Sequence, residues 1–245
     1  MTPLDRSTAR GRARLPLTGV ALACALAAGC ATIRDSRQPA RLTRQIGPGS
    51  ARSAEVRMSL GVGELKVRSG ACQLAHADLQ YDRAVTDTRI RYEVVGDRGT
   101  LVLEERTEGR TRRHRGSDWS VCLGDVVPID LTVDLGVGNS ELHLGGVDLR
   151  SLNVDMGTGN AEVDLRGPIA HNVEVRVDGG VGNLKIHVPA QVGVRIRADA
   201  GVGNMHASGF HRTDGALVND AYGTSPVSIE VSVDVGVGNI RVSQG

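Results

Sequence analysis

The motif Asp-x-Gly-x-Gly-Asn is written five times in this 245-residue chain, as DLGVGNSEL, DMGTGNAEV, DGGVGNLKI, DAGVGNMHA and DVGVGNIRV, starting at Asp134, Asp155, Asp178, Asp199 and Asp234. A diverged sixth copy, SLGVGELKV, starts at Ser59. Three consecutive steps between first glycines, from Gly136 to Gly201, are 21, 23 and 21 residues; the last is 35, because FHRTDGALVNDAYGTSP intervenes before Gly236. A period near 21 marks a stacked repeat.

Alignment on the first glycine turns the copies into columns. Five positions before it stand Val56, Leu131, Leu152, Val175, Ile196 and Val231; six after it stand Val67, Leu142, Val163, Ile186, Ala207 and Val242. Both columns are apolar, so both face a shared interior. Seven after it stand Arg68, His143, Asp164, His187, Ser208 and Ser243, which face out. Alternation of this kind is the signature of strands.

A unit of this length cannot bury its apolar face alone, so the copies must stack, each strand beside its equivalent at about 4.8 Å. The expected fold is all-β: a parallel β-solenoid or β-roll of about six two-strand coils. Their corners fall at Gly61 and Gly63, Gly136 and Gly138, Gly157 and Gly159, Gly180 and Gly182, Gly201 and Gly203, and Gly236 and Gly238. A narrow interior suits a chain with 32 Gly but only Trp119, Tyr81, Tyr92, Tyr222 and Phe210 as aromatics.

The domain organisation follows. Residues 1–29 read as an export signal, with Arg6, Arg10, Arg12 and Arg14 before the short apolar run LPLTGVALACALAAG. The run ends in LAAGC, which resembles a bacterial lipobox, making Cys30 the expected lipidated N-terminus; ordinary secretion and an uncleaved anchor are the alternatives. Residues 30–52, rich in arginine and without apolar periodicity, are expected to be a flexible tether. Residues 53–245 form the solenoid, interrupted over 71–127 by an insertion containing a β-hairpin with GDRG as its turn, and resuming over 128–245. The last coil, ending at Gly245, is expected to leave an open edge, a route to a homo-oligomer.

Cys72 and Cys122 remain once Cys24 leaves with the signal and Cys30 carries lipid. In an oxidising compartment the pair is a disulfide candidate; two unrelated buried thiols are the alternative. The net charge is +1, and removing the signal, with four arginines and one aspartate, leaves about −2, which gives no electrostatic footprint for nucleic acid.

The repeated motif admits a reading as shape and one as chemistry. As shape, the glycines permit a sharp corner or a close backbone approach, and Asn139, Asn160, Asn183, Asn204 and Asn239 can form amide ladders. As chemistry, Asp134, Asp155, Asp178, Asp199 and Asp234 form a carboxylate column that structural calcium could neutralise. A phosphate-binding loop is excluded, since a strand rather than a helix follows the glycines. His143, Asp164 and His187 fall on adjacent rungs, but the two imidazoles lie about 9.6 Å apart at the backbone, wide for one metal ion. No nucleophile–base or metal-hydrolase motif stands out, and no cofactor is implied beyond the calcium alternative. Arg110, Arg112, Arg113 and Arg115 form a basic loop that reads either as a solvated loop tip or as a contact for anionic lipid head groups or glycan phosphates.

The order LGVGELKVRSG, hairpin, then WSVCLGDVVPIDLTVDLGVGNSELHLGGVDLRSLNVDMGTGNAEVDL resembles the toast-rack family of bacterial envelope proteins over about residues 53–245. Related repeats occur in putative-adhesin β-strand repeat domains and in the C-terminal part of LiaF-type proteins. The resemblance implies a non-enzymatic β-solenoid of the cell envelope, on the periplasmic or cell-surface side, acting as a scaffold, an adhesin-like surface or an envelope-stress adaptor. Its expected partners are the membrane through the lipid, and an envelope protein or glycan; a calcium-stabilised or glycan-binding module is the alternative. Unlike LiaF-type proteins, this chain carries no multi-span membrane region in its sequence.

Overall fold

The computed structural model of the protein describes residues 39–107 and 116–245. These residues form thirteen strands and no helix: β1 (Ala40–Ile46), β2 (Ser53–Ser69), β3 (Ala75–Tyr81), β4 (Thr86–Val95), β5 (Arg98–Thr107), β6 (Ser117–Leu123), β7 (Ile129–His143), β8 (Leu149–Asp164), β9 (Val173–Val188), β10 (Gly193–Ser208), β11 (His211–Thr213), β12 (Ala216–Val218) and β13 (Ser228–Gln244). Six of them carry the repeats and lie side by side in parallel, in the spatial order β2, β7, β8, β9, β13, β10. The fold is a parallel β-solenoid.

Register keeps every repeat column intact. Gly63, Gly138, Gly159, Gly182, Gly238 and Gly203 are successive partners across the stack. The two expected strands of each coil prove to be the arms of one uninterrupted strand of 15 to 17 residues. In β7, Leu131, Val133 and Leu135 are buried before the corner, and Ser140 and Leu142 after it. Inward positions thus change from odd to even numbers, a slip of one residue in the alternation. That slip lets both arms face one interior while the ladder to the next coil continues.

The core is the space between the arms, filled by the inward columns. Val56, Leu131, Leu152, Val175, Val231 and Ile196 are all at most 3% exposed, as are Val67, Leu142, Val163, Ile186 and Val242. Within the insertion, β4 and β5 form the expected antiparallel hairpin, with Gly96 at φ 66° in the two-residue turn. β5 then pairs with the first arm of β2 and β6 with the second. Together they make a seventh, split coil whose break falls at the corner, where Ser117 stands opposite Gly63. Trp119, on β6, is 2% exposed in the core. Cys72 and Cys122 form a disulfide that ties the chain after β2 to β6.

Two expectations are corrected, and the order of the coils is a new finding. The tether reading of 30–52 fails for its second half: β1 pairs antiparallel with β3, Ile46 is buried, and Arg41 pairs with Asp78. Arg41 lies on the outer face of this edge strand and Arg44 donates to the Ile90 oxygen at 2.8 Å, while Leu42 and Ile46 are its only large apolar residues, too few to show as alternation. The coils do not stack in sequence order: β13 lies between β9 and β10. Finally, the open edge is not the last coil: β13 is paired on both sides, and β10 ends the stack.

The swap has a packing reason. Ile240 and Val242 on β13 are fully buried, whereas their equivalents on β10, Met205 and Ala207, are only partly so. The β-branched pair gains more from the enclosed slot. Residues 209–227 supply the chain length for the return, and β12 covers β10 only at Arg195 and Ile196.

Candidate functional site

The corner geometry comes first, because it positions everything on the outer face. The second glycines, from Gly63 to Gly238, all have φ between 148° and 158°. A Cβ on any of them would stand 1.5–1.9 Å from a backbone oxygen of the neighbouring coil. At the first glycines Gly136, Gly157, Gly180, Gly201 and Gly236 the corresponding approach is 2.4–2.8 Å. Backbone passes backbone so closely that no side chain fits, and the shape reading of the motif accounts for both columns.

Four rows of outward side chains cross the stack around that corner. The first is Asp134, Asp155, Asp178, Asp234 and Asp199, in register from rung to rung. Burial against the sheet, reinforced by the charge of Asp155, raises the Asp134 carboxyl above the usual aspartate range, and Arg57 partly offsets this. Arg176 lies 3.3 Å from Asp178. The carboxylates form a line rather than a cage: among the described residues, no three His, Cys, Asp or Glu side chains converge on a point that could hold a metal ion.

The second row is Val62, Val137, Thr158, Val181, Val237 and Val202, whose valines are 38–67% exposed. The third is an amide ladder. Asn160 donates to the Asn139 Oδ1 at 3.0 Å, Asn183 to Asn160 at 2.9 Å and Asn239 to Asn183 at 2.9 Å, with Asn204 on the next rung. The fourth mixes charges: Lys66, Glu141, Glu162, Lys185, Arg241 and His206, with Lys185 3.5 Å from Glu162. The amide and charge rows line an open groove of about 530 Å³ that runs across the coils.

His143, Asp164 and His187 do occupy adjacent rungs. Asp164 and His187 are already engaged elsewhere, and His143 lies 3.8 Å from Asp164. Asp164 is held by Arg166, whose guanidinium and backbone N–H bring the carboxyl down to about 2. His187 bonds to the Ser243 Oγ at 2.8 Å and lies 3.7 Å from Glu162. The trio reads as a surface ladder.

Cys30 and Arg110, Arg112, Arg113 and Arg115 lie outside the described residues. The feature that sequence reasoning missed is the exposed valine row. Its signal was present, since the residue between the paired glycines is Val in five of six copies, but an apolar residue beside a corner reads as core until the slip in alternation is known.

Comparison with known proteins agrees with this geometry. Residues 34–187 match the model of the N-terminal domain of toast_rack, DUF2154. The chain is similar to a solved putative cell adhesion protein from Clostridium sporogenes ATCC 15579, at 28% identity and a TM-score of 0.79, over 85% of this chain and 100% of that one. A putative adhesin from Bacteroides fragilis NCTC 9343 aligns over 83% of this chain and 97% of that one, at 14% identity and a TM-score of 0.29. No curated protein matches. The bent parallel coils, the split coil carrying Trp119 and the family match together place the chain in the toast-rack family.

Proposed function

We propose that the protein is a non-enzymatic, adhesin-like interaction module of the bacterial cell envelope, exported and held at a membrane through a lipid on Cys30, with the corner face as its contact surface. The observation that carries this is the Asn ladder beside the valine row. Each amide has two N–H donors and an oxygen with two lone pairs. An interior rung such as Asn160 uses one donor and one lone pair on its neighbours. One donor and one acceptor per rung therefore remain for a ligand, repeated about every 4.8 Å beside an apolar strip. Such an array suits an extended polymer rich in hydroxyl and amide groups, and an envelope glycan has that chemistry. Likeness to the putative cell adhesion protein from Clostridium sporogenes supports the same reading.

The test is retention of the full chain on peptidoglycan and on isolated envelope polysaccharide, comparing wild type with the Asn160→Ala, Asn183→Ala double variant. Retention that falls with the double variant supports the corner face. Equal retention of both proteins, or none of either, dismisses it. Membrane attachment is tested separately: Cys30→Ala should move the protein from the membrane fraction to the soluble one, and unchanged fractionation removes the lipid anchor.

A further inference from the structure

The end of the stack offers an independent surface. β10 is paired with β13 along its whole length, but on its other side only Arg195 and Ile196 are met by β12. From Arg197 to Ser208 that edge has no strand partner among the described residues. A long, unpaired, partly apolar edge is a template for another strand, and Val202 on it is 67% exposed.

The direction of the edge groups can be worked out. The Val194 N–H donates to the Asn219 Oδ1 at 2.8 Å, and the Val194 oxygen accepts from the Asn219 N–H at 3.2 Å. Val194 faces the core, so inward residues of this arm aim their backbone groups at the open side. Ala198 and Ala200 share that parity. Beyond the corner the inward positions slip to Met205 and Ala207. Backbone groups slip with the side chains, because the two alternate together along a strand.

Inward positions and edge-directed groups are therefore both symmetric about a point between Val202 and Gly203. A two-fold axis along the bisector of the corner exchanges the arms, keeps the interior inside and reverses the stack. We propose that two copies of this chain pair through β10, antiparallel, about that axis. Ala198 then stands opposite Ala207 and Ala200 opposite Met205, extending the core columns across the junction. On the outer face Asp199 stands opposite His206, and the symmetry makes this pair twice. Met205 and Ala207 gain the enclosure that Ile240 and Val242 already have on β13. The contact is isologous and closes at two copies. It joins two corner faces into one longer surface, and it stands whether or not that face binds glycan.

Sedimentation of the full-length chain over a concentration series should show a monomer–dimer equilibrium. In the paired form the two Val202 positions are diagonal neighbours about 6 Å apart at Cα, within disulfide reach. Under mild oxidation Val202→Cys should give a covalent dimer, with the substituted positions joined to each other by peptide mass analysis, and Val137→Cys, equally outward but inside the stack, should not. Asp199→Lys should weaken the dimer about tenfold, and adding His206→Asp should restore it. Ala200→Pro removes one edge-directed N–H without touching the ladder to β13, and should give a folded monomer. A monomer at all concentrations, cross-linking equal at the two valine positions, or a dimer indifferent to Ala200→Pro would overturn the pairing.

Discussion

Three glycines in one short stretch, Gly179, Gly180 and Gly182 in DGGVGN, give a sharp test of the corner, because the structure assigns each a different cost of carrying a methyl group. At Gly182 the backbone sits at φ 158° and the new Cβ would lie 1.5 Å from the Gly159 oxygen and 2.7 Å from its carbon. Backbone strain of about 1–2 kcal/mol adds to overpacking of about 1–3 kcal/mol. Gly182→Ala should therefore lose roughly 2–5 kcal/mol, or at least about 4 °C in Tm for a domain of this size. At Gly180 only the 2.4 Å approach to the Gly157 oxygen operates, so the loss should be about 1–3 kcal/mol. Gly179 occupies an inward column shared with Leu135, Met156 and Val235, and its Cβ would meet a Val235 methyl at 3.4 Å, an ordinary contact. Gly179→Ala should be neutral or stabilise by about 0.5–1 kcal/mol through the reduced freedom of the unfolded chain. Urea and thermal unfolding of the three variants supply the measurement. Equal effects at Gly179 and Gly182, or a Tm unchanged in Gly182→Ala, would refute the account of the glycine columns.

Other consequences can be measured on the same protein. The Cys72–Cys122 disulfide closes a loop with a sequence separation of 50, so Cys122→Ser together with Cys72→Ser should cost roughly 4 kcal/mol in chemical unfolding. Asp134→Asn should raise Tm at pH 7 and lose that advantage at pH 3, since a carboxyl whose folded pKa is raised costs stability only where it is ionised. Asp164 behaves oppositely: its folded pKa is depressed to about 2, so its contribution is complete above the unfolded value near 4 and is lost as pH falls through 2, and Asp164→Asn should flatten acid unfolding in that window. A chelator should leave Tm unchanged; a fall restored by calcium would support the calcium-stabilised alternative.

Much of this architecture was legible before any coordinates. The 21-residue period, the two apolar columns and the Gly-x-Gly corners determine a stack of bent parallel strands, because side-chain alternation and repeat length are local properties of the chain. The Asn ladder and the hairpin turn at Gly96 and Asp97 were legible for the same reason. Cys72 and Cys122 were expected as a candidate pair, and the structure joins them.

What tertiary structure alone decided is the order of the coils. Every repeat presents nearly the same edge to its neighbours, so local pattern does not distinguish β10 from β13 as the partner of β9. The choice rests on small differences in burial, between Ile240 with Val242 and Met205 with Ala207, summed over a long ladder. The same applies to β1, whose arginines look like tether until Asp78 is placed beside Arg41. It applies also to the valine row, which becomes surface only when the strand bends and its alternation slips by one residue. Sequence sets what each strand offers on its two faces; which edges meet is a competition among similar partners, settled by the free energy of the assembled stack.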